Sequence, residues 1–375
     1  MKHFIYADNA ATTKLDIDAF NAMKPYLIDE YGNASQPYSF SRLPKKALQE
    51  ARQIIASCIN AEPDEIYFTS GGTESDNWAI KGVAVNSEEH RAIITTSFEH
   101  HAVLKACESI EKLKYPVAYI EPNRNGVIEV SSLESLITPQ TLLVSIMMSN
   151  NEIGTVQPIK ELASVAHKNG ALFHTDAVQC VGHLPIDVKS LGVDMMSASA
   201  HKFNGPKGVG FLYIKNGTSI APLLNGGSQE SGYRAGTENI ASVIGMATAL
   251  KKNCDEIDKN AKYILQLENE LLSALRSKNI EFIRNGSGEM LPGNLSLSFP
   301  GFEGEAILHR LDLMGIQVST GSACDSVNTQ ISHVLRAINV DEEVALGTIR
   351  ISLGKDNTID DVTAICNAIC KIVSI

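Results

Sequence analysis

The first half of the chain alternates between short apolar runs and longer stretches whose apolar residues recur every three or four positions. The short runs are typical of buried strands, and the longer stretches are typical of helices that bury one face. Strands are predicted at 65–69, 92–96, 142–148, 171–175, 195–199 and 208–214, and helices at 45–59, 74–85, 101–113 and 159–168. This alternation predicts an α/β domain with a mostly parallel sheet.

The pattern changes beyond residue 237, where one helical stretch with at most one break runs to about residue 277. After it, strands are predicted at 282–284, 295–299, 317–319 and 349–353, and helices at 305–314, 332–338 and from 359 onward. This mixture is typical of a smaller α+β unit. We therefore predict a large α/β domain over residues 16–255 and a small domain over residues 256–375 that also includes residues 1–15.

Composition agrees with two globular domains, since 375 residues with 44% hydrophobic and 20% charged residues can fill two sizeable cores. A net charge of -11 leaves no basic surplus to neutralise phosphates, so direct nucleic-acid binding is not expected. The sequence contains no run of about 18 apolar residues that would span a membrane. Asp8 interrupts the N-terminal segment before a signal-like apolar run develops, so we expect a cytoplasmic protein.

The seven cysteines are scattered and form no CxxC pair, so neither a disulfide framework nor a metal site is predicted. Cys366 and Cys370 lie four residues apart in a helical pattern, where packing on one helix face accounts for them. Cys324 differs, because it ends the small and polar run Ser319-Thr320-Gly321-Ser322-Ala323-Cys324. A loop thiol of this kind is a candidate for chemistry rather than for packing.

Three segments at predicted strand ends favour a phosphate-bearing cofactor. Ser70-Gly71-Gly72-Thr73 turns from a strand into a helix, and the N–H groups of such a helix start suit a phosphate. Asp176 ends another apolar strand, where a carboxylate can face a protonated ring nitrogen. Lys202 follows the next strand among small residues, where a lysine shielded from water can form a Schiff base. Each segment alone is weak, but their conjunction is specific.

These segments belong to a longer series that resembles the class V aminotransferases among the fold-type I pyridoxal-phosphate enzymes, and within them the cysteine desulfurases of the NifS and IscS kind. The further matching segments are 7–13, 31–33, 74–77, 99–100, 150–154, 234–239 and 319–324, which span nearly the whole chain. The resemblance implies the fold of a PLP-dependent transferase, with a large domain and a small domain that carries the Cys324 loop. It also implies pyridoxal 5'-phosphate as the cofactor.

The resemblance further implies a role for each matching residue. Lys202 would hold the cofactor covalently and move the Cα proton of the substrate, and His100 would stack on the ring as an acid–base group. The other implied cofactor contacts are Asp176 to the ring nitrogen, Gln179 to the phenolic oxygen, and Thr73, Ser199 and His201 to the phosphate. Thr237 would reach the phosphate of the partner subunit, which implies a homodimer.

The reaction implied is conversion of L-cysteine to L-alanine, with the sulfur held as a persulfide on Cys324. Asn151 and Arg350 would bind the substrate carboxylate, for which a bidentate arginine is well suited. The sulfur would pass to an acceptor protein that serves iron–sulfur cluster assembly or tRNA thiolation. Two other functions remain open, namely a different PLP reaction such as transamination or selenocysteine lysis, and a PLP-binding assembly platform with little turnover.

Two positions depart from the pattern of the family. Asp325 follows the cysteine where relatives more often have a hydroxyl residue, and a neighbouring carboxylate disfavours the thiolate. Tyr38 precedes Ser39-Phe40 where relatives usually have a histidine. We expect the second departure to affect the entrance of the site or a partner surface rather than the chemistry.

Overall fold

The structure, a computed structural model, describes residues 4–87, 89, 91–321 and 331–373. Its strands are β1 (Ile5–Tyr6), β2 (Ile66–Thr69), β3 (Ala92–Thr96), β4 (Val117–Ile120), β5 (Thr141–Ser145), β6 (Leu172–Asp176), β7 (Met195–Ser199), β8 (Gly210–Ile214), β9 (Ile283–Arg284), β10 (Asn294–Ser298), β11 (Ile316–Gln317) and β12 (Thr348–Ser352). Its helices are α1 (Ile17–Ile28), α2 (Arg42–Cys58), α3 (Gly72–Val85), α4 (His101–Glu111), α5 (Val130–Leu136), α6 (Ile159–Lys168), α7 (Val188–Leu191), α8 (Ile240–Asp255), α9 (Ile257–Ser277), α10 (Gly304–Leu313), α11 (His333–Ala337), α12 (Glu342–Leu346) and α13 (Ile359–Val373).

The largest sheet has seven strands in the order β2-β8-β7-β6-β5-β3-β4. The neighbours from β4 through β3, β5 and β6 to β7 are all parallel. Only β8 runs against the others, because it pairs antiparallel with both β7 and β2. The predicted α/β fold with a mostly parallel sheet is therefore confirmed.

Helices cover both faces of this sheet. Successive residues of a strand point to opposite sides, so the apolar strands present side chains for burial on both faces. Leu143 of β5 and Met195 of β7 pack on the side covered by α3 and α4, around the fully buried Trp78. Val144 and Met196, one residue further on, pack on the side covered by α2, α6 and α8. A sheet buried on both faces accounts for the continuous apolar runs that predicted these strands.

A second hydrophobic core lies around the antiparallel sheet β12-β10-β9. It is formed by α9, α10 and α13, and includes Leu271, Leu297, Ile351 and Ile369. The N-terminal strand β1 joins this core through Ile5, because β1 pairs parallel with β11. The predicted helical stretch 237–277 consists of two helices, α8 and α9, which meet at Glu256. Helix α8 packs in the first core and helix α9 packs in the second. The domain boundary at 255 and 256 remains a prediction.

None of the helices within the described ranges is both long enough and apolar enough to cross a membrane.

Candidate active site

The carboxyl ends of β6 and β7 lie side by side, because these strands are parallel neighbours. β6 ends at Asp176, and β7 ends at Ser199 and continues into the 3₁₀ turn Ala200–Lys202. A cavity of about 520 Å³ opens at this edge of the sheet, where open α/β sheets bind ligands. The residues predicted for the site that line this cavity are Thr73, His100, Asn151, Asp176, Gln179, Ser199, His201, Lys202 and Arg350.

The two remaining residues predicted for the site are Thr237 and Cys324. Thr237 is exposed on the segment that precedes α8 and lies outside the cavity lining. Cys324, together with Asp325, lies outside the described residues. Gly321, the last residue described before this segment, does line the cavity. The chain therefore enters the segment that contains Cys324 from the wall of the cavity.

The Lys202 side chain is held against the N-terminal turn of the chain. Its Nζ donates hydrogen bonds to the carbonyl oxygens of Ala10 at 2.5 Å and Ala11 at 2.8 Å. Gln179 Nε2 donates to the same Ala10 oxygen at 3.0 Å. The turn at residues 10 and 11 thus brings the amine and the amide together at one wall of the cavity. His183 Nε2 also lies 2.9 Å from the Lys202 carbonyl oxygen, which supports the backbone at this position.

Asp176 is a buried carboxyl group at the cavity. Its Oδ1 accepts a hydrogen bond from the backbone N–H of Val178 at 2.9 Å. Burial raises the pKa of Asp176 to about 6, against the lowering effects of the Val178 N–H and of the Lys202 charge. A carboxylate that is desolvated to this extent favours a cationic partner, which would restore the lost stabilisation of its charge.

The turn between β2 and α3 forms a cradle of backbone. Gly71 has φ of +146°, a value that side chains rarely tolerate, and a Cβ there would lie 3.3 Å from Ser199 Oγ. A Cβ at Gly72 would lie 2.5 Å from Val178 Cγ2, so only glycine fits. The first N–H groups of α3 have no partner within the helix, and the helix dipole adds positive potential there. The cradle is therefore suited to an anion such as a phosphate.

Both predicted histidines of the site are neutral near pH 7. Burial, with a contribution from the Lys202 charge, lowers the pKa of His100 to about 4 and that of His201 to about 4. His100 caps the start of α4, where its Nδ1 accepts the backbone N–H of Ala102 at 3.1 Å. Because Nδ1 is an acceptor, the neutral ring carries its proton on Nε2. His100 therefore offers the cavity a donor without adding a positive charge.

Arg350 lies in β12 and is 5% exposed. Its Nη2 pairs with Asp8 Oδ1 at 2.6 Å, and its Nη1 donates to the Asn151 carbonyl oxygen at 3.2 Å. The buried Nε has no hydrogen-bond partner among the described residues. A guanidinium that keeps one buried donor unpaired at the cavity can bind a planar carboxylate.

Two buried carboxyl groups beside Asp176 were not predicted for the site. Burial, and then the charge of Asp176, raises the pKa of Asp76 well above its usual range. Burial raises the pKa of Glu99 to about 8, although Glu99 accepts hydrogen bonds from Thr96 Oγ1 and the Met147 N–H. Glu99 is therefore mostly protonated near neutral pH and ionises after Asp176, and burial likewise disfavours the charged form of Asp76. The only indication in the sequence was their position next to predicted site residues, since Asp76 follows Thr73 by three residues and Glu99 immediately precedes His100.

Comparison with known proteins identifies the family. Residues 5–365 match the aminotransferase class-V family, and the chain belongs to that family. Its enzymes depend on pyridoxal 5'-phosphate, so the predicted cofactor is confirmed. Within the family, this chain is a cysteine desulfurase by its full-length similarity to enzymes of that kind.

The similarity extends over the whole chain. Cysteine desulfurase IscS of Dictyoglomus turgidum is 47% identical over 375 residues, which cover 100% of this chain and 95% of the relative. Cysteine desulfurase IscS of Methanosarcina thermophila is 44% identical over 370 residues, or 98% of this chain and 92% of the relative. A solved NifS-like protein has a TM-score of 0.94 at 38% identity, and covers 99% of this chain and 100% of its own. A structure described as SspA in complex with cysteine has a TM-score of 0.84 at 34% identity, and covers 94% and 100%.

The residues present fit pyridoxal phosphate on structural grounds. The glycine cradle and the first N–H groups of α3 line the cavity together with Ser199, where a phosphate can be bound, and Gly71 and Gly72 let this turn pack closely on Ser199 and Val178. The desolvated carboxyl of Asp176 is suited to a ring cation, and Lys202 supplies an amine within the same cavity. These three features occupy one cavity at one sheet edge, as a cofactor with a phosphate, a ring nitrogen and a reactive carbonyl requires.

Proposed function

We propose that this enzyme converts L-cysteine to L-alanine and transfers the sulfur to Cys324 as a persulfide. An acceptor protein of the iron–sulfur scaffold or tRNA-thiolation type would then take the sulfur. The arrangement that carries the proposal is a single cavity in which Asp176, Lys202 and Arg350 meet, with Gly321 at its wall. Gly321 begins the segment that contains Cys324.

Arg350 and Asn151 orient the substrate in this proposal. The Arg350 Nε, which is buried without a partner among the described residues, would bind the α-carboxylate, and Asp8 fixes the guanidinium from the other side. The Asn151 carbonyl oxygen accepts from Arg350 Nη1 and from Asn294 Nδ2, both at 3.2 Å. These contacts leave the Asn151 side chain available to the substrate carboxylate. The amino acid is thereby held with its Cα toward Lys202.

The cofactor would be held by Lys202 at its carbonyl, Asp176 at its ring nitrogen, Gln179 at its phenolic oxygen, His100 at its face, and Thr73, Ser199 and His201 at its phosphate. When bound, pyridoxal phosphate supplies an electron sink that stabilises the negative charge developed at the substrate Cα. Asp176 would keep the ring nitrogen protonated, since an ionised carboxylate beside it favours the cation. Lys202 Nζ would take the Cα proton, and neutral His100 would supply a proton from Nε2.

The sulfur step balances without an external oxidant. The Cys324 thiolate would attack the sulfur of the substrate, forming the new S–S bond as the Cβ–S bond breaks. The electron pair of the broken bond stays with Cβ, which would take up one proton, supplied by His100, to become the methyl group of alanine, while Lys202 would return the proton it took to Cα. The products are therefore alanine and one persulfide on Cys324. Asp325 beside the thiol would disfavour the thiolate and slow this step.

The test compares wild-type holoenzyme with Cys324→Ala, measuring release of sulfide and alanine from L-cysteine in the presence of a thiol reductant. We expect both products from wild type, and a variant that retains the cofactor spectrum but releases no sulfide. Equal activity of the two proteins would exclude Cys324 as acceptor and favour a lyase. Cofactor binding without turnover by either protein would favour another substrate or an assembly platform.

The subunit arrangement and the location are also proposals. Thr237 is exposed outside the cavity of its own chain, which fits a role at the phosphate of a partner subunit. We therefore propose a cytoplasmic homodimer. Sedimentation of the holoenzyme would show a mass of two chains, and Thr237→Ala would weaken cofactor binding without changing that mass. A monomer that retains the cofactor with full affinity would contradict the proposed role of Thr237.

A further inference from the structure

The turn from Asn150 to Gly154 is held in one conformation by buried contacts. The Asn150 side chain is completely buried, and its Oδ1 accepts the backbone N–H groups of Glu152 at 2.8 Å and Ile153 at 3.1 Å. Its Nδ2 donates to the Phe98 carbonyl oxygen at 2.8 Å. Both ends of the asparagine amide are thereby used. The backbone of the turn at Glu152 is consequently fixed.

Glu152 contacts the chain on the far side of the segment 322–330. The Ser332 Oγ donates a hydrogen bond to Glu152 Oε2 at 2.6 Å, and both residues are buried. The same Ser332 Oγ accepts the Val334 N–H at 3.0 Å and so caps α11. Because the hydroxyl is donor to one group and acceptor to the other, its orientation is determined. The chain that follows residue 330 is therefore fastened to Glu152.

Glu152 also contacts the chain on the near side of this segment. A Cβ at Gly321 would overlap Glu152 Oε2 and would lie 2.9 Å from Glu152 Cδ and 3.5 Å from Ser332 Cβ. A side chain at position 321 would therefore have to displace the Glu152 carboxyl group from its contact with Ser332. The glycine in the motif Ser319-Thr320-Gly321 is thus explained by the close approach of Glu152. The same carboxyl group lies against both ends of the segment.

The turn also contacts the residue proposed to bind the substrate carboxylate. Arg350 donates to the carbonyl oxygen of Asn151, which immediately precedes Glu152. The Arg350 backbone pairs with Ser319 in both directions, at 3.0 Å and 2.6 Å. One short turn therefore supports the arginine on one side and the ends of the segment on the other.

We propose that Glu152 is a positioning residue, which fastens both ends of the segment 322–330 to the turn that supports Arg350. Because Cys324 lies in the sequence between Gly321 and Ser332, loss of these contacts should change the reactivity of Cys324 toward a substrate bound by Arg350. The role in sulfur transfer depends on the proposed function, whereas the anchoring itself does not. The contacts of Glu152 that carry this role are with Ser332 and the approach to Gly321.

The test uses holoenzymes of wild type, Glu152→Ala, Glu152→Gln and Ser332→Ala, with Glu268→Gln as the matched control. Glu268 is equally buried and accepts the Gly293 N–H, but it lies in the core of the small domain. Each protein is characterised by its cofactor absorption, by the rate at which iodoacetamide alkylates Cys324, followed by mass spectrometry, and by alanine release in a single turnover.

We expect the two alanine variants to keep the cofactor absorption, to be alkylated at Cys324 several-fold faster, and to release alanine about tenfold more slowly or worse. Glu152→Gln retains an acceptor for Ser332 and should stay within about threefold of wild type, as should the control. Wild-type alkylation and turnover in Glu152→Ala and Ser332→Ala would overturn the proposal. So would a loss of the same size in Glu268→Gln. If wild type itself did not turn over cysteine, the proposed function would fail, and the alkylation rates would still decide whether Glu152 anchors the segment.

Discussion

Replacing Asp176 with asparagine should stabilise the enzyme when the cofactor has been removed. Burial raises the pKa of this carboxyl from 3.8 to about 6, which means that the folded protein disfavours its ionised form. The cost is absent below pH 3.8, develops between pH 3.8 and pH 6, and is complete above pH 6. Asparagine carries no charge and keeps an oxygen to accept the Val178 N–H, so the variant avoids the cost and retains the hydrogen bond.

The size of the effect follows from the difference between the two pKa values, about 6 and 3.8. Each unit of pKa corresponds to about 1.4 kcal/mol, so ionised Asp176 lowers the free energy of unfolding by about 3 kcal/mol at pH 8. At pH 5 the folded carboxyl is mostly protonated, and the cost falls to roughly half of its value at pH 8. When the cofactor is bound, the sign should reverse, because asparagine cannot pair with a cationic ring nitrogen.

The assay is urea unfolding of the cofactor-free wild type and Asp176→Asn at pH 8 and pH 5, repeated with pyridoxal phosphate added. Asp312→Asn serves as the control, since Asp312 is exposed and its replacement should change the unfolding free energy by less than about 0.5 kcal/mol. A cofactor-free Asp176→Asn that is less stable than wild type at pH 8 would refute the reasoning. A gain that does not decrease at pH 5 would also refute it.

Three further predictions concern the cavity. Gly72→Ala should weaken pyridoxal-phosphate binding at least about tenfold in a fluorescence titration, because its Cβ would lie 2.5 Å from Val178 Cγ2; unchanged affinity would contradict the cradle. Arg350→Lys should raise KM for L-cysteine at least about tenfold and change kcat less, because lysine lacks the planar fork; an effect on kcat alone would contradict carboxylate binding. His100 has its pKa lowered to about 4 and stays neutral as the pH falls to about 5. The pH profile of kcat should therefore show no titration of His100 near pH 6.5. A step near pH 6.5 that is present in wild type and absent in His100→Gln would show that the ring titrates in the working range.

The large sheet was predictable because its strands are buried on both faces and are therefore apolar throughout. Several other elements were not predicted, because they are short or only partly buried. β4 is an edge strand of four residues with Tyr119 exposed, and an apolar run as short as Val117–Ile120 does not distinguish a strand from part of a helix. Helix α1 contains Pro25 and buries only Ala19 fully, so its sequence carries little helical periodicity. The two-residue strand β1 is defined only by its pairing with β11, which overlaps the predicted strand 317–319 at Gln317.

Some features of the site could likewise be predicted from the sequence, and others could not. Lys202 and Asp176 were predictable because each follows an apolar strand, and the ends of parallel strands meet at one sheet edge. The raised pKa values of Asp76 and Glu99 were not predictable, because they depend on how completely the surrounding elements bury the two carboxyl groups. The contacts of Glu152 also join residues far apart in the sequence. The roles of the site residues remain predictions that the proposed experiments address.

The central claim is that sulfur from the substrate reaches Cys324, and labelled sulfur tests it most directly. The holoenzyme is incubated with L-cysteine that carries isotopically labelled sulfur, and its peptides are analysed by mass spectrometry without reduction. We predict that the peptide containing Cys324 gains one labelled sulfur atom as alanine appears, and that the peptides containing the other six cysteines do not. Alanine formation with no label on Cys324, or with the label on another cysteine, would contradict the account.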